Sequence, residues 1–186
     1  LQKEGFKVIV VSSGAIAAGV HRMGWKQKPK KISHLQAAAA VGQVSLVETY
    51  EKEFKKNGLT TAQVLITGED FSSRKRYLNS RATFETLLSE NIIVIVNEND
   101  TVSTDEIKVG DNDTLAASIA TTIQADLFVI LTDQKGLFTE NPTSSSKAKL
   151  IQSVDVTDDM LSRVASKSHS EFGTGGMETK IKAARI

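Results

Sequence analysis

Four short apolar runs limit what this chain can fold into more than any other feature. Val8–Val11, Gln63–Thr67, Ile92–Val96 and Leu127–Leu131 are rich in β-branched residues and bounded by polar residues or glycine. Each is nearly all apolar rather than alternating. Such runs belong to strands covered on both faces, the arrangement of a parallel sheet between layers of helices. Helical patterns fill the gaps. Ser33 with Gln36 three residues on has the form of a capping box, and Leu35, Ala39, Leu46, Tyr50 and Phe54 follow near helical spacing up to Gly58. Tyr77, Arg81, Phe84 and Leu88 mark a second helix, and Leu115, Ile119 and Ile123 a third, opened by Asn112 or Asp113. Strands alternating with helices predict an α/β fold: a three-layer αβα sandwich around a mainly parallel, open sheet.

The last third is less regular. Thr139–Lys149 reads as an exposed loop around Pro142, Val156–Ala165 as a short helix, and Ser166–Gly176 as a polar, glycine-rich loop before a helix from Met177. No linker or repeat interrupts the chain, so residues 1–186 are expected to form one domain. Leu1–Gly5 resembles the tail of a helix running into a strand, so the sequence is expected to begin within a fold.

Composition removes several classes of function. Lys plus Arg number 23 and Asp plus Glu 22, a net charge of +1, which offers no electrostatic footprint for nucleic acid or anionic lipid. The absence of Cys excludes disulfides, thiolate metal sites and a Cys nucleophile. No apolar run approaches the ~18 residues of a membrane helix. A cytoplasmic location is the simplest expectation.

In open parallel sheets, ligands bind beyond the carboxyl ends of the strands. Polar clusters follow three of the four runs: Ser12-Ser13-Gly14 after the first, Asn97-Glu98-Asn99-Asp100 after the third, and Thr132-Asp133-Gln134 after the fourth. Ser12-Ser13-Gly14 enters an Ala-rich helix whose small residues permit close backbone approach, although a plain helix cap reads equally well. Gly173-Thr174-Gly175-Gly176-Met177-Glu178-Thr179-Lys180 is a stronger phosphate signal, with glycine N–H groups and a Lys in the first helical turn. It is neither a Walker A loop nor a dinucleotide fingerprint, since Glu178 stands where the third glycine belongs. The acidic clusters Asn97–Asp100 and Asp111–Asp113 lack calcium-loop spacing, and their carboxylates call for a cationic partner. His21, His34 and His169 have no ligand spacing, and no metal site is assigned. Lys26–Lys31 and Arg74-Lys75-Arg76 read as solvated basic surface.

Taken together, Val10–Gly19, Ala40-Val41-Gly42-Gln43, Asn97–Asp100, Ile107–Asp113, Leu131–Leu137 and Gly173–Met177 resemble the amino-acid kinase family, in family order from about Gly5 to Ile186. Within it they are most similar to the branch that uses ATP to phosphorylate the side-chain carboxylate of L-glutamate. The product is L-glutamyl 5-phosphate, the first intermediate of proline biosynthesis. The resemblance implies Ser13, Asp100 and Asn112 at the amino acid. It implies Thr132 and Asp133 at the nucleotide, and Thr174, Gly175, Gly176, Met177, Glu178, Thr179 and Lys180 around its phosphates. Lys180 would stabilise the transferring phosphoryl group, Asp113 would orient catalytic lysines, and Mg²⁺ would accompany ATP. It also implies a homo-oligomer inhibited by proline. The family's opening strand, with its Lys-x-Gly-Ser/Thr motif, does not precede Leu1, and the family's final strands and any RNA-binding-like C-terminal domain are expected to lie outside this sequence. Kinases of acetylglutamate or aspartate on the same fold are the nearest alternatives. A free ammonium needs a carboxylate, which favours Asn97–Asp100 as a site for an unacetylated amino acid. A non-catalytic amino-acid sensor would have no use for Lys180 and the glycine-rich loop.

Overall fold

The structure, a computed structural model, describes residues 1–103, 112–166 and 176–186. These residues form β1 (Ile9–Val11), α1 (Ala15–Arg22), α2 (Ile32–Lys55), β2 (Thr61–Ile66), α3 (Gly68–Ser72), α4 (Arg74–Ser89), β3 (Ile93–Glu98), α5 (Asn112–Thr122), α6 (Asp159–Ser166) and α7 (Met177–Ala184). The chain divides into two compact units, Leu1–Asn112 and Asp113–Ile186.

The first unit is built on the sheet. Four consecutive β-branched residues open β3, and all six of its positions are buried. That burial suits the central strand of a parallel sheet. The order is β1-β3-β2, with Val11 opposite Val96 and Val64 opposite Val96. Parallel neighbours require crossovers, which α1 with α2 and α3 with α4 supply. All three strands therefore end on one edge. The ladder runs on into the loops there: Ser12 N–H donates to Val96 C=O at 2.8 Å, and Asn99 N–H donates to Ile66 C=O at 2.9 Å.

Small residues set the packing of α1 on α2. A Cβ at Gly42 would lie 1.8 Å from the Ala15 carbonyl oxygen, and one at Gly19 would lie 1.7 Å from that of Ala38. The two helices touch backbone to backbone. α2 starts two residues too early for the Ser33 capping box. Lys31 is its N-cap, so Ser33 lies inside the first turn and Gln36 Nε2 donates instead to Ser103 C=O at 3.2 Å. The capping box occurs at Thr67 and Asp70, on the five-residue α3.

In the second unit, Leu115 and Ile119 are buried on α5, as the helical spacing predicts, together with Ala117 and Thr122, whereas Ile123 falls past the helix end and is only partly covered. Thr139–Lys149 is a loop closed by the Phe138–Leu150 bridge and by Ile151 N–H donating to Leu137 C=O at 2.7 Å. Leu127–Leu131, expected as a fourth strand, corrects the sequence reading: it has no ladder partner among the described residues and forms no strand. Apolar β-branched composition makes a strand only where a neighbour takes up its N–H and C=O groups. Among the described residues, no helix is long and apolar enough to cross a membrane.

Candidate functional site

In the first unit, the ends of β1 and β3 carry a chain of side-chain amides. Asn97, buried at the penultimate position of β3, donates through Nδ2 to Gln43 Oε1 at 2.8 Å. Its Oδ1 accepts from the Glu98 backbone N–H at 2.9 Å and from Asn112 Nδ2 at 3.1 Å. Asn112 Nδ2 also donates to Ser12 C=O at 2.6 Å. The Ser12 hydroxyl is 2.9 Å from Tyr50 Oη. Thus α2, β3, the loop after β1 and the first residue of α5 are tied through polar groups.

Of the residues expected at an amino acid, Asn112 belongs to this network directly. Ser13 is exposed one residue beyond Ser12, beside Gly14, whose φ of 100° opens α1 from a left-handed conformation that only glycine adopts readily. Asp100 follows β3 and is half-buried. Burial pushes its pKa above the usual carboxylate value, and the Lys28 charge pulls it back only in part. Lys28 is in the stretch read as solvated surface, and sequence spacing gave no sign that its charge would bear on Asp100. Glu98 is also buried, and Ser103 Oγ donates to its Oε1 at 3.3 Å.

The second unit holds the residues expected at the phosphates. Lys180 Nζ is 2.9 Å from Asp113 Oδ2, and both side chains are one-fifth exposed. Thr179 Oγ1 lies 3.0 Å from the same carboxylate oxygen and 2.8 Å from the Gly176 carbonyl oxygen. Gly176 caps α7 in an extended conformation, so Thr179 and Lys180 fall in its first turn and turn toward the start of α5. Met177 is half-buried and Glu178 exposed. Thr132 and Asp133 are on an exposed turn, 3.4 Å apart through Oγ1 and Oδ1. Thr174 and Gly175 lie outside the described residues, as do Ile107–Asp111. Among the described residues, no group of three or more His, Asp or Glu is disposed to hold a metal.

Gln43, Asn97 and Tyr50 are the polar residues that sequence reasoning left without a role. Gln43 and Asn97 stood only within family-like motifs, and Tyr50 was read as one apolar position of a helix. The available signal was an amide on an otherwise Ala- and Gly-rich helix face, and a polar Asn directly after four β-branched residues.

The arrangement offers a cluster of polar side chains in one unit and an ammonium held beside a carboxylate in the other. Known proteins are similar to this chain along its whole length. The sequence profile of the amino acid kinase family matches residues 1–186. A glutamate 5-kinase of Nitrosospira multiformis is 55% identical over 185 residues, covering 100% of this chain and 50% of the relative. One of Methylococcus capsulatus is 51% identical over 186 residues, again 100% and 50%. One of Pseudomonas aeruginosa is 50% identical over 182 residues, 98% of this chain and 49% of the relative. The chain spans about half the length of the curated relatives it matches.

Proposed function

The chain belongs to the amino acid kinase family, and from that premise we propose that the complete protein transfers the γ-phosphoryl group of ATP to the side-chain carboxylate of L-glutamate. The observation that carries this reading is half-identity to glutamate 5-kinases along the whole chain. The product is L-glutamyl 5-phosphate, an intermediate of proline biosynthesis.

The chemistry is a displacement at phosphorus. A carboxylate oxygen of glutamate forms the new P–O bond as the bond to the bridging oxygen of ADP breaks, and ADP leaves with the electron pair. An ionised carboxylate needs neither a protein nucleophile nor a base, so the protein's work is positioning and charge neutralisation. Lys180 is suited to the second task. Its ammonium is held at 2.9 Å by Asp113, which restrains it before any phosphate arrives. Thr174, Gly175, Gly176, Met177, Glu178 and Thr179 would surround the phosphates, with Thr132 and Asp133 at the nucleotide. For the amino acid, Asp100 is a partly desolvated carboxylate whose burial cost an α-ammonium would offset. Asn112 and Ser13 would complete that side.

Mg²⁺ would arrive with ATP. The described carboxylate nearest this role, Asp113, is already engaged by Lys180, a donor set that suits a metal held mainly by phosphate oxygens and water. Bound there, the metal would neutralise phosphate charge. A cytoplasmic homo-oligomer under feedback inhibition by proline completes the proposal.

The test is ADP release by the complete protein with glutamate, aspartate and N-acetylglutamate as acceptors. Glutamate should be strongly preferred. Lys180→Ala should lower kcat roughly a hundred- to a thousand-fold, as loss of a group that meets developing charge does, with little change in KM for glutamate. A preference for aspartate or N-acetylglutamate would replace the substrate assignment, and a near-normal kcat would remove Lys180 from the reaction.

A further inference from the structure

We propose that Gln43 is a positioning residue that holds the amide network of the amino-acid site in place, so that Asn112 keeps its amide oxygen, an acceptor, turned to the substrate's α-ammonium. The proposal rests on the glutamate kinase reading for the identity of that substrate; the amide network itself does not.

The polarity follows from groups that have no choice. The Glu98 backbone N–H can only donate, so the Asn97 atom facing it at 2.9 Å is the amide oxygen. The Asn97 amide nitrogen then faces Gln43, whose facing atom at 2.8 Å must be its oxygen. Asn112 approaches two acceptors, Asn97 Oδ1 at 3.1 Å and the Ser12 carbonyl at 2.6 Å, and so must present its nitrogen to both. Its oxygen takes no hydrogen bond from a described residue. One backbone N–H thus sets the sense of three side chains in sequence. Asn97 is 2% exposed and Gln43 9%, so solvent is poorly placed to stand in for a missing partner.

Gln43 closes this chain at its buried end. It contributes one useful atom: its Oε1 accepts, while its Nε2 is buried without a partner among the described residues. With no acceptor at that position, Asn97 Nδ2 is left unpaired in the interior. The Asn97 side chain is then free to turn away, and one of the two acceptors that hold Asn112 goes with it, leaving the Ser12 carbonyl alone. Gly42 is what allows Gln43 to sit there, since its lack of a side chain brings α2 against the backbone of Ala15 and Gly19.

Two substitutions in the complete protein separate polarity from shape. Gln43→Met keeps the length and removes the acceptor; Gln43→Glu keeps an acceptor oxygen. Gln43→Met should raise KM for glutamate roughly ten- to a hundred-fold, with KM for ATP unchanged within about twofold and kcat at saturation much less affected. Gln43→Glu should stay within roughly threefold of the parent. Glutarate, which lacks the α-ammonium, should inhibit the parent and Gln43→Met equally. A Gln43→Met protein with the parent's KM, a folded Gln43→Glu protein as impaired as Gln43→Met, or a parallel loss of glutarate binding would each overturn the proposal. A parent that phosphorylates no glutamate would instead sink the kinase reading. The network is then read without substrate, from exchange of the Asn97 side-chain amide protons by NMR: slow in the parent and in Gln43→Glu, fast in Gln43→Met. Unprotected Asn97 protons in the parent, or equal protection in Gln43→Met, would overturn it whatever the substrate.

Discussion

A carboxylate kept partly out of water is costly to the fold and useful to a cationic ligand, and Asp100 is in that position. Its folded-state pKa stands above the ordinary 3.8 because burial disfavours the charged form, with Lys28 opposing only in part. The sign of the linkage follows. Above pH 3.8 the unfolded chain has released this proton while the folded chain still holds it, so stability from this group falls as pH rises through the raised folded value. Above that raised value the cost is fully present. Asp100→Asn keeps the shape and removes the charge, so it should raise the urea midpoint at about pH 7, with the gain shrinking as pH is lowered toward the ordinary carboxylate value. The same change should weaken glutamate binding while leaving ATP binding unaltered. A midpoint that drops, with a constant offset across the pH series, would mean that the carboxylate is stabilised by its surroundings, and the ammonium-pairing role would lose its physical basis.

At the scale of elements, the α1–α2 contact should be the most sensitive feature of the first unit. In Gly42→Ala the new methyl meets the Ala15 carbonyl oxygen at 1.8 Å and Gly19 N at 2.3 Å, both backbone atoms that cannot rotate aside. The helices must separate. Overpacking of this kind typically costs about 1–3 kcal/mol, and here it should also raise KM for glutamate, because Gln43 follows Gly42 and the Ser12–Gly14 loop leads into Ala15. Gly58→Ala is the control. Its φ of 72° strains any other residue, yet nothing lies within 4 Å of the added methyl, so only a conformational cost of about 1 kcal/mol is expected and catalysis should be intact. Equal effects of the two changes on KM would show that the helix contact does not position the loop. The same contact shows what was legible in the sequence. Val8–Val11, Gln63–Thr67 and Ile92–Val96 could be read as strands because their ladder neighbours lie within the chain, but the expected cover on both faces holds throughout only for β3, since Gln63 and Leu65 of β2 are exposed. Leu127–Leu131 has the same composition but lacks a ladder partner among the described residues, and composition cannot report a partner. Ser33 and Thr67 carry the same capping grammar; α2 already starts at Ile32, ahead of Ser33, whereas Thr67 follows directly on the end of a strand. In the site, Asn112 was readable as a helix opener with a polar role. The Asn97–Gln43 contact joins residues 54 apart and could be seen only once β3 lay beside α2.

The last expectation concerns the 186 residues as one molecule. Leu127, Val129 and Leu131 are 78%, 62% and 90% exposed, at alternate positions of the run. Phe128 and Ile130 between them are only partly covered. Among the described residues, backbone N–H and C=O groups of that run are left without a ladder, and β1 pairs on only one of its sides. Exposed apolar strand-formers with free backbone groups are the usual template for edge-to-edge association. A chain of these residues alone should therefore self-associate, its weight-average mass in sedimentation velocity climbing with concentration. Thr retains β propensity while removing the apolar contact that drives pairing, so replacing Leu127 and Leu131 together by Thr should return the chain toward a single monomeric boundary. The melting temperature should hardly change, because side chains this exposed contribute little to the core. Should the unaltered chain stay monomeric at roughly 100 μM, concentrated enough for even weak pairing to register, the run must be covered in solution. The exposed run would then be the part of this structure to abandon first.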